Sequence, residues 1–228
     1  MVYVIQTALE LGFRDALVAM ALFLSYRILD IADLTTDSGF VLGAAVSVTV
    51  AAAGHPFLAI LAAGITILAG LFLVWFLGTR IGLSIRATGD NADMVRASSV
   101  NPVFTITVGL CISNALTALS GAVVGQYQKS ADINGGTGIV VIGLACLIIG
   151  ETLIGRRSMA RNVLAALIGS IVYRFIYAII LKTGIVPIEC LKLVTAIVVA
   201  LAIAGPELKK WAAFQKRKMS ATARRGGK

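Results

Sequence analysis

From Val103 to Gly125 the chain runs without a single charged side chain. About 20 apolar residues are enough for a helix to cross the ~30 Å hydrocarbon layer of a bilayer. Similar stretches occupy Phe57 to Leu77, Gly138 to Ile154, Val163 to Leu181 and Ile188 to Ala204, the last three each carrying one or two charges. Lipid offers no partner to a backbone N–H or C=O, so a spanning segment must be a helix or part of a closed barrel. The alternating, roughly 10-residue pattern of a barrel strand is absent. Composition agrees: 58% of the residues are hydrophobic and 14% charged, against about 25% charged in soluble domains, and mean hydropathy is +0.93. The expected fold is therefore all-α, a polytopic helical membrane protein with six or seven spans. One transmembrane domain is expected over 1–205, followed by a basic tail over 206–228. The first span candidate, Leu11 to Leu29, is interrupted by Arg14, Asp15 and Arg27. No basic n-region with a small-residue cleavage site precedes it, so the first helix is expected to be its own targeting signal.

Charge placement orients the spans. Of 20 Lys and Arg, three lie in 80–101, three in 155–162 and eight in 206–228. The positive-inside rule makes these three stretches cytoplasmic, and parity then puts 126–136 outside or in a vestibule. The tail, Lys216-Arg217-Lys218 through Lys228, also suits attraction to anionic lipid. Beside a membrane span it is not expected to bind nucleic acid. Cys111 and Cys146 sit in apolar runs, where a thiol behaves as a small hydrophobe. Cys190 has no evident partner, and His55, the only histidine, lies in the tight turn Gly54-His55-Pro56. No metal-ligand spacing, P-loop, GxSxG or paired-carboxylate pattern occurs. No catalysis, metal or cofactor is expected of the chain.

Two polar stretches interrupt the oil. The first to consider, Arg86-Ala87-Thr88-Gly89-Asp90-Asn91 through Pro102, has the punctuation of a short surface helix. Gly89 is expected to make a sharp left-handed turn, Asp90 or Asn91 to cap the helix, and Asp93 to meet its positive end. Asn101-Pro102 then stops it and offers a cap and an N1 proline to the next helix. Met94, Val95 and Ala97 would give it an apolar side. The plain alternative is a loop helix with no partner.

The other stretch runs from Asp30 to Gly39. Asp30, Asp33 and Asp37 at membrane depth must meet water, a cavity or a cation, and Gly39, Gly43 and Ser47 follow as a small-residue stripe that lets backbones approach. Irregular polar backbone leading into such a helix reads as a broken transmembrane helix near 30–45 that lines a pathway. An outer loop followed by a plain span is the alternative. On this reading Asp33, Thr35, Asp37, Gly39 and Gly43 border the route. A second stripe, Gly109, Ser113, Thr117, Gly121 and Gly125, is expected to pack helices. Glu151 is expected near the inner interface, paired with Arg156 or Arg157. Arg174 either snorkels outward between Tyr173 and Tyr177 or faces a route or a buried carboxylate.

Taken together, several stretches resemble one family. Arg86-Ala87-Thr88-Gly89-Asp90-Asn91 with Arg96-Ala97-Ser98 is similar to the cytoplasmic coupling segment of ABC importer permeases of the branched-chain amino acid and ribose class. Arg27-Ile28-Leu29-Asp30-Ile31-Ala32-Asp33-Leu34-Thr35 through Leu42-Gly43-Ala44 resembles their early pathway segment. Gln126-Tyr127-Gln128 and Val141-Ile142-Gly143-Leu144-Ala145 through Ile149-Gly150-Glu151 resemble the subgroup linked to tryptophan or tyrosine uptake.

The resemblance implies a permease subunit of the bacterial inner membrane, working with a second copy, two cytoplasmic ATPase subunits and an extracytoplasmic binding protein. Arg86, Thr88, Gly89, Asp90, Asn91, Met94 and Arg96 would then form the ATPase-coupling surface. The chain departs from the subgroup in one respect: a helical hairpin usual between segments matching 57–70 and 71–80 has no counterpart, and the two are fused into one run, Phe57 to Leu77. Either the hairpin is lost or this sequence omits it. Two readings from other classes stay open at this point. One is an ion-coupled secondary transporter using Asp30, Asp33 and Asp37, and the other a membrane scaffold that transports nothing.

Overall fold

A computed structural model of the chain describes residues 2–52, 58–155 and 158–183. Every element among them is helical: α1 (Val2–Leu22), continued by a π-helical segment (Phe23–Ile28), then α2 (Thr36–Ala52), α3 (Leu58–Leu77) and α4 (Arg80–Asp90). Next come α5 (Ala92–Ala97), α6 (Pro102–Gln128), a 3-10 turn (Ile133–Gly136), α7 (Ile139–Ile154) and α8 (Met159–Thr183). Pro102–Gln128, Ile133–Ile154 and Met159–Ile180 are each long and apolar enough to cross a membrane. A fourth span results if Leu68–Leu77 and Arg80–Asp90, which meet at 75°, are taken together. α1 carries Glu10, Arg14 and Asp15 along its length, which is why composition alone undersells it. The protein is an integral membrane protein. The expected last span, the basic tail, Arg156 and Arg157, His55 and Cys190 lie outside the described residues.

α1 is the centre of the molecule. Ala16, Leu17, Ala19, Met20 and Leu24 have no exposed surface, and Phe23 is 1% exposed. Around α1 stand α8, α6, α7 and α3, while α2 lies along α6 and α8 along α7. Lipid tails are as apolar as leucine, so helices in a bilayer gain little by hiding hydrophobic surface from each other and rely on close approach instead. Small residues provide it here. A Cβ on Gly43 would overlap the carbonyl of Ala118, and one on Gly121 the carbonyl of Phe40. Ser47 Oγ donates to the Ala122 carbonyl at 2.7 Å. Gly150 and Gly169 seat α7 and α8 against each other in the same way. Both predicted stripes are thus helix seams, and Ser113 adds a hydrogen bond from its Oγ to the Ala21 carbonyl at 2.8 Å.

The charged groups in the spans find partners far along the chain. Arg174, 9% exposed, is ion-paired through Nε with Asp15 on α1, and its Cζ stands 5.5 Å from the Tyr177 ring centroid. It does not snorkel to an interface; the buried-carboxylate alternative is the one observed. Glu151 has a partner that its neighbours in sequence do not suggest. Its Oε1 lies 3.3 Å from Nε of Arg27 on the π-helical segment. Helix register explains both: α8 lies along α1 so that Arg174 is level with Asp15, and the end of α7 is level with Arg27 on the continuation of α1.

Residues 58–77 form one continuous helix, as expected of the fused run.

Candidate functional site

The first polar stretch packs through Gly89 on Ile28 and Leu29, the residues just before the second. α4 was not foreseen as a helix, and it corrects the reading of Gly89. Thr79 caps α4, its Oγ accepting from Gly82 N at 3.3 Å, and the helix continues through Gly89 to Asp90. Gly89 makes no turn; among the described residues its φ is not one of the positive values, which fall at Asp30, Ser99, Lys129, Gly138 and Gly155. Its glycine is required for another reason. A Cβ there would overlap the carbonyl of Ile28, so α4 lies flush on the end of the π-helical segment. Thr88, one residue earlier, is 4% exposed and shares a 2.8 Å hydrogen bond with Thr105 of α6. Thr88 and Gly89 therefore face the protein's own core.

The corner beyond them faces outward. Asn91 caps α5, its Oδ1 accepting from Met94 N at 3.0 Å, and Asp93 sits in the first turn. Asn101 Oδ1 accepts from Val103 N at 3.0 Å and Pro102 opens α6, both as the sequence predicts. Val95 is buried at 6% exposure, whereas Met94 is 69% exposed, so the apolar side expected of Met94, Val95 and Ala97 is divided. Val95 anchors α5, leaving Asp90, Asn91, Met94 and Arg96 exposed. Arg86 is half-buried on the flank of α4. α5 is a single short element of 6 residues, held between longer ones at both ends.

The chain breaks where the carboxylates predict. The wide turns of the π-helical segment end with Leu29 N bonded to Leu24 O and Ile31 N to Ser25 O, both at 3.1 Å. Asp30 then takes a left-handed conformation at φ 56°, which aspartate tolerates better than most residues. Regular helix resumes only at Thr36. Within the break, Asp33 Oδ1 accepts from Thr35 N at 2.9 Å and Thr35 Oγ1 at 2.6 Å. Asn114 on α6 donates from Nδ2 to Asp33 Oδ2 at 2.8 Å, and its Oδ1 stands 3.2 Å from Thr35 Oγ1. Asn114 is twelve residues into α6, roughly 18 Å along it at about 1.5 Å per residue. Sequence reasoning missed Asn114; an amide four residues before Ala118 in an apolar run was the only clue.

The remaining expected pathway residues take distinct places. Gly39 lies beside Asn114, where an added Cβ would be 3.4 Å from Oδ1. Gly43 lies deeper in the α2–α6 seam. Asp37 stands apart from Asp33, accepting from Gly138 N at 3.3 Å and Val140 N at 3.2 Å. It meets the positive end of α7, where a carboxylate is favoured. Asp33, Thr35 and Gly39 are thus brought together, while Asp37 and Gly43 serve neighbouring contacts. A partly exposed polar nest at such depth can bind a polar or charged group through directed oxygens.

Sequence comparisons give the family. The model of the family described as branched-chain amino acid transport system / permease component matches residues 65–203. A tyrosine transport system permease protein of Clostridioides difficile is 34% identical over 149 residues, covering 65% of this chain and 50% of that protein. This chain thus spans half the length of that relative. An uncharacterized protein of Rickettsia prowazekii is 27% identical over 270 residues, covering 87% of this chain and 96% of the other. Those aligned positions outnumber the residues of this chain, so the Rickettsia protein carries segments without a counterpart here. No solved structure matches. With more than half of its length matched, the chain belongs to the permease-component family of branched-chain amino acid transport systems.

Proposed function

We propose that the chain is the transmembrane permease subunit of an ATP-driven ABC importer in a bacterial inner membrane, carrying an amino acid or a similar small solute. It would act with a second copy of itself, two cytoplasmic ATPase subunits and an extracytoplasmic binding protein, with the 206–228 tail cytoplasmic and against anionic lipid. The observation that carries this reading is the α4–α5 corner. Its outer side offers Asp90, Asn91, Met94 and Arg96 to a partner, and methionine is an adaptable contact for a surface that moves. Its inner side is keyed to the fold through Thr88 on Thr105 and Gly89 on the Ile28 carbonyl. A push on the corner would reach Ile28, and one residue later the break at 29–35 that holds Asp33 and Thr35.

ATPase closure would thereby move the pathway without any nucleotide chemistry in this chain. The name of the Clostridioides relative supports an aromatic amino acid as the solute. The test is purification of the complex from membranes, with a Met94→Cys variant crosslinked to whatever binds it. The expected result is a crosslinked ATPase subunit and, in proteoliposomes, uptake that needs ATP. Uptake driven by an ion gradient without ATP, or a corner that crosslinks to no ATPase, would overturn the reading.

A further inference from the structure

Among the described residues three carboxylates have a visible positive complement, and Asp33 does not. Asp15 has Arg174 on one oxygen and Arg14 Nε 3.3 Å from the other. Glu151 has Arg27, and Asp37 has the N-terminus of α7. Asp33 has three hydrogen bonds, all from neutral groups, and no cation within 4 Å among the described residues. Asp30, three residues before it, is exposed. A charge at membrane depth is costly unless water or an opposite charge meets it.

Counting protons in the nest sharpens the point. The Thr35 hydroxyl carries one proton. It stands 2.6 Å from Asp33 Oδ1 and 3.2 Å from Asn114 Oδ1, and the ionised acceptor makes the shorter, stronger bond. Asn114 cannot reverse its amide to supply another donor, because Nδ2 is already given to Asp33 Oδ2 at 2.8 Å. Thr35 Oγ1 and Asn114 Oδ1 therefore face each other as two acceptors with no proton between them. Asp33 Oδ2 keeps acceptor capacity as well, having accepted only one bond. Gly39 leaves the Asn114 oxygen uncovered, since its own side is bare.

We propose that Asp33 Oδ2, Thr35 Oγ1 and Asn114 Oδ1 form a site for a primary ammonium group, the amino end of the transported solute. The proposal rests on the permease reading above for what the solute is, and on the nest alone for the chemistry. An ammonium brings three N–H donors and one positive charge, which answers three donor-poor oxygens and one uncompensated carboxylate. Among the described residues no group of three or more His, Cys, Asp or Glu is assembled for a metal ion, so a directed hydrogen-bond donor is the better match.

The test places a single cysteine at Leu34, which is 85% exposed and outside the nest, in the assembled complex with Cys111, Cys146 and Cys190 replaced by alanine. Labelling rates with cationic aminoethyl methanethiosulfonate and anionic sulfonatoethyl methanethiosulfonate are compared with and without Asp33→Asn. The expected cation-to-anion ratio is about tenfold higher with Asp33 present, as for a unit charge felt at short range in a partly wet site. Excess methylammonium should slow cationic labelling in the Asp33 protein, and replacing sodium by choline should not matter. Equal ratios in the two proteins would overturn the site while leaving the permease reading intact. A ratio that follows sodium would assign it to a metal cation and overturn the ammonium proposal. Labelling needs no ATP, so absence of ATP-driven uptake by the wild-type complex would overturn the permease reading and not the site.

Discussion

Asp15 and Asp33 are both carboxylates of the helical bundle, yet the protein treats them oppositely. Asp15 is 3% exposed and closed between two arginines, inside the most completely buried helix. Asp33 sits in a break between helices, half-open, with a hydroxyl, an amide and a backbone N–H as its neighbours. A buried ion pair needs both members, since either alone is a charge taken out of water with nothing in return. A carboxylate supported by neutral donors is held in position without being neutralised. The first arrangement fastens α1 to α8; the second keeps a charge available. The comparison separates a carboxylate used for fastening from one left without a counter-charge, which is the ground for proposing the second as a binding group.

The sharpest way to break the comparison is to remove one partner of the buried pair. Arg174→Leu leaves Asp15 beside Arg14 alone and should cost about 3–5 kcal/mol, read as loss of folded protein in detergent on a thermal melt. The double variant Asp15→Leu with Arg174→Leu still strands Arg14, so only the triple variant that adds Arg14→Leu should recover much of that loss. Single and double variants of equal, near-wild-type stability would mean that the pair is not a fastening at all.

A smaller effect is expected in the seam that supports Asp33. Gly43→Leu forces α2 off Ala118, an overpacking change worth about 1–3 kcal/mol. It should also separate Asp33 from Asn114, so uptake should fall further than stability does. Unaltered uptake would show that the Asp33–Asn114 bond does not depend on that seam.

The least change in stability is expected from Asp33→Asn. The new amide can still accept from Thr35 through its oxygen. Asn114 then turns its own amide, presenting its oxygen to residue 33 and its NH2 to Thr35. All bonds are remade, so the melt should move by less than about 1 kcal/mol while uptake falls at least tenfold. A large loss of stability would put Asp33 in the same class as Asp15.

Much of this architecture is legible in the chain because its signals are local. Charge-free runs of spanning length require helices where backbone has no water to bond to. Asn91 and Asn101-Pro102 mark helix starts by side chains that reach only two or three residues. Asp30 through Thr35 cannot lie as helix in lipid, and the helix breaks there. The stripes of small residues announce close contacts by their four-residue spacing.

What each of those features meets was decided by packing. Gly89 was read as a turn because glycine permits one, whereas the fold uses its missing side chain to admit the Ile28 carbonyl. Arg174 pairs with a residue 159 positions away, Glu151 with Arg27 far back in the chain, and Asp33 with an amide 81 positions on. Such pairings depend on the depth and rotation at which one helix lies against another. Those are set jointly by every seam in the bundle, so no single stretch of sequence contains them.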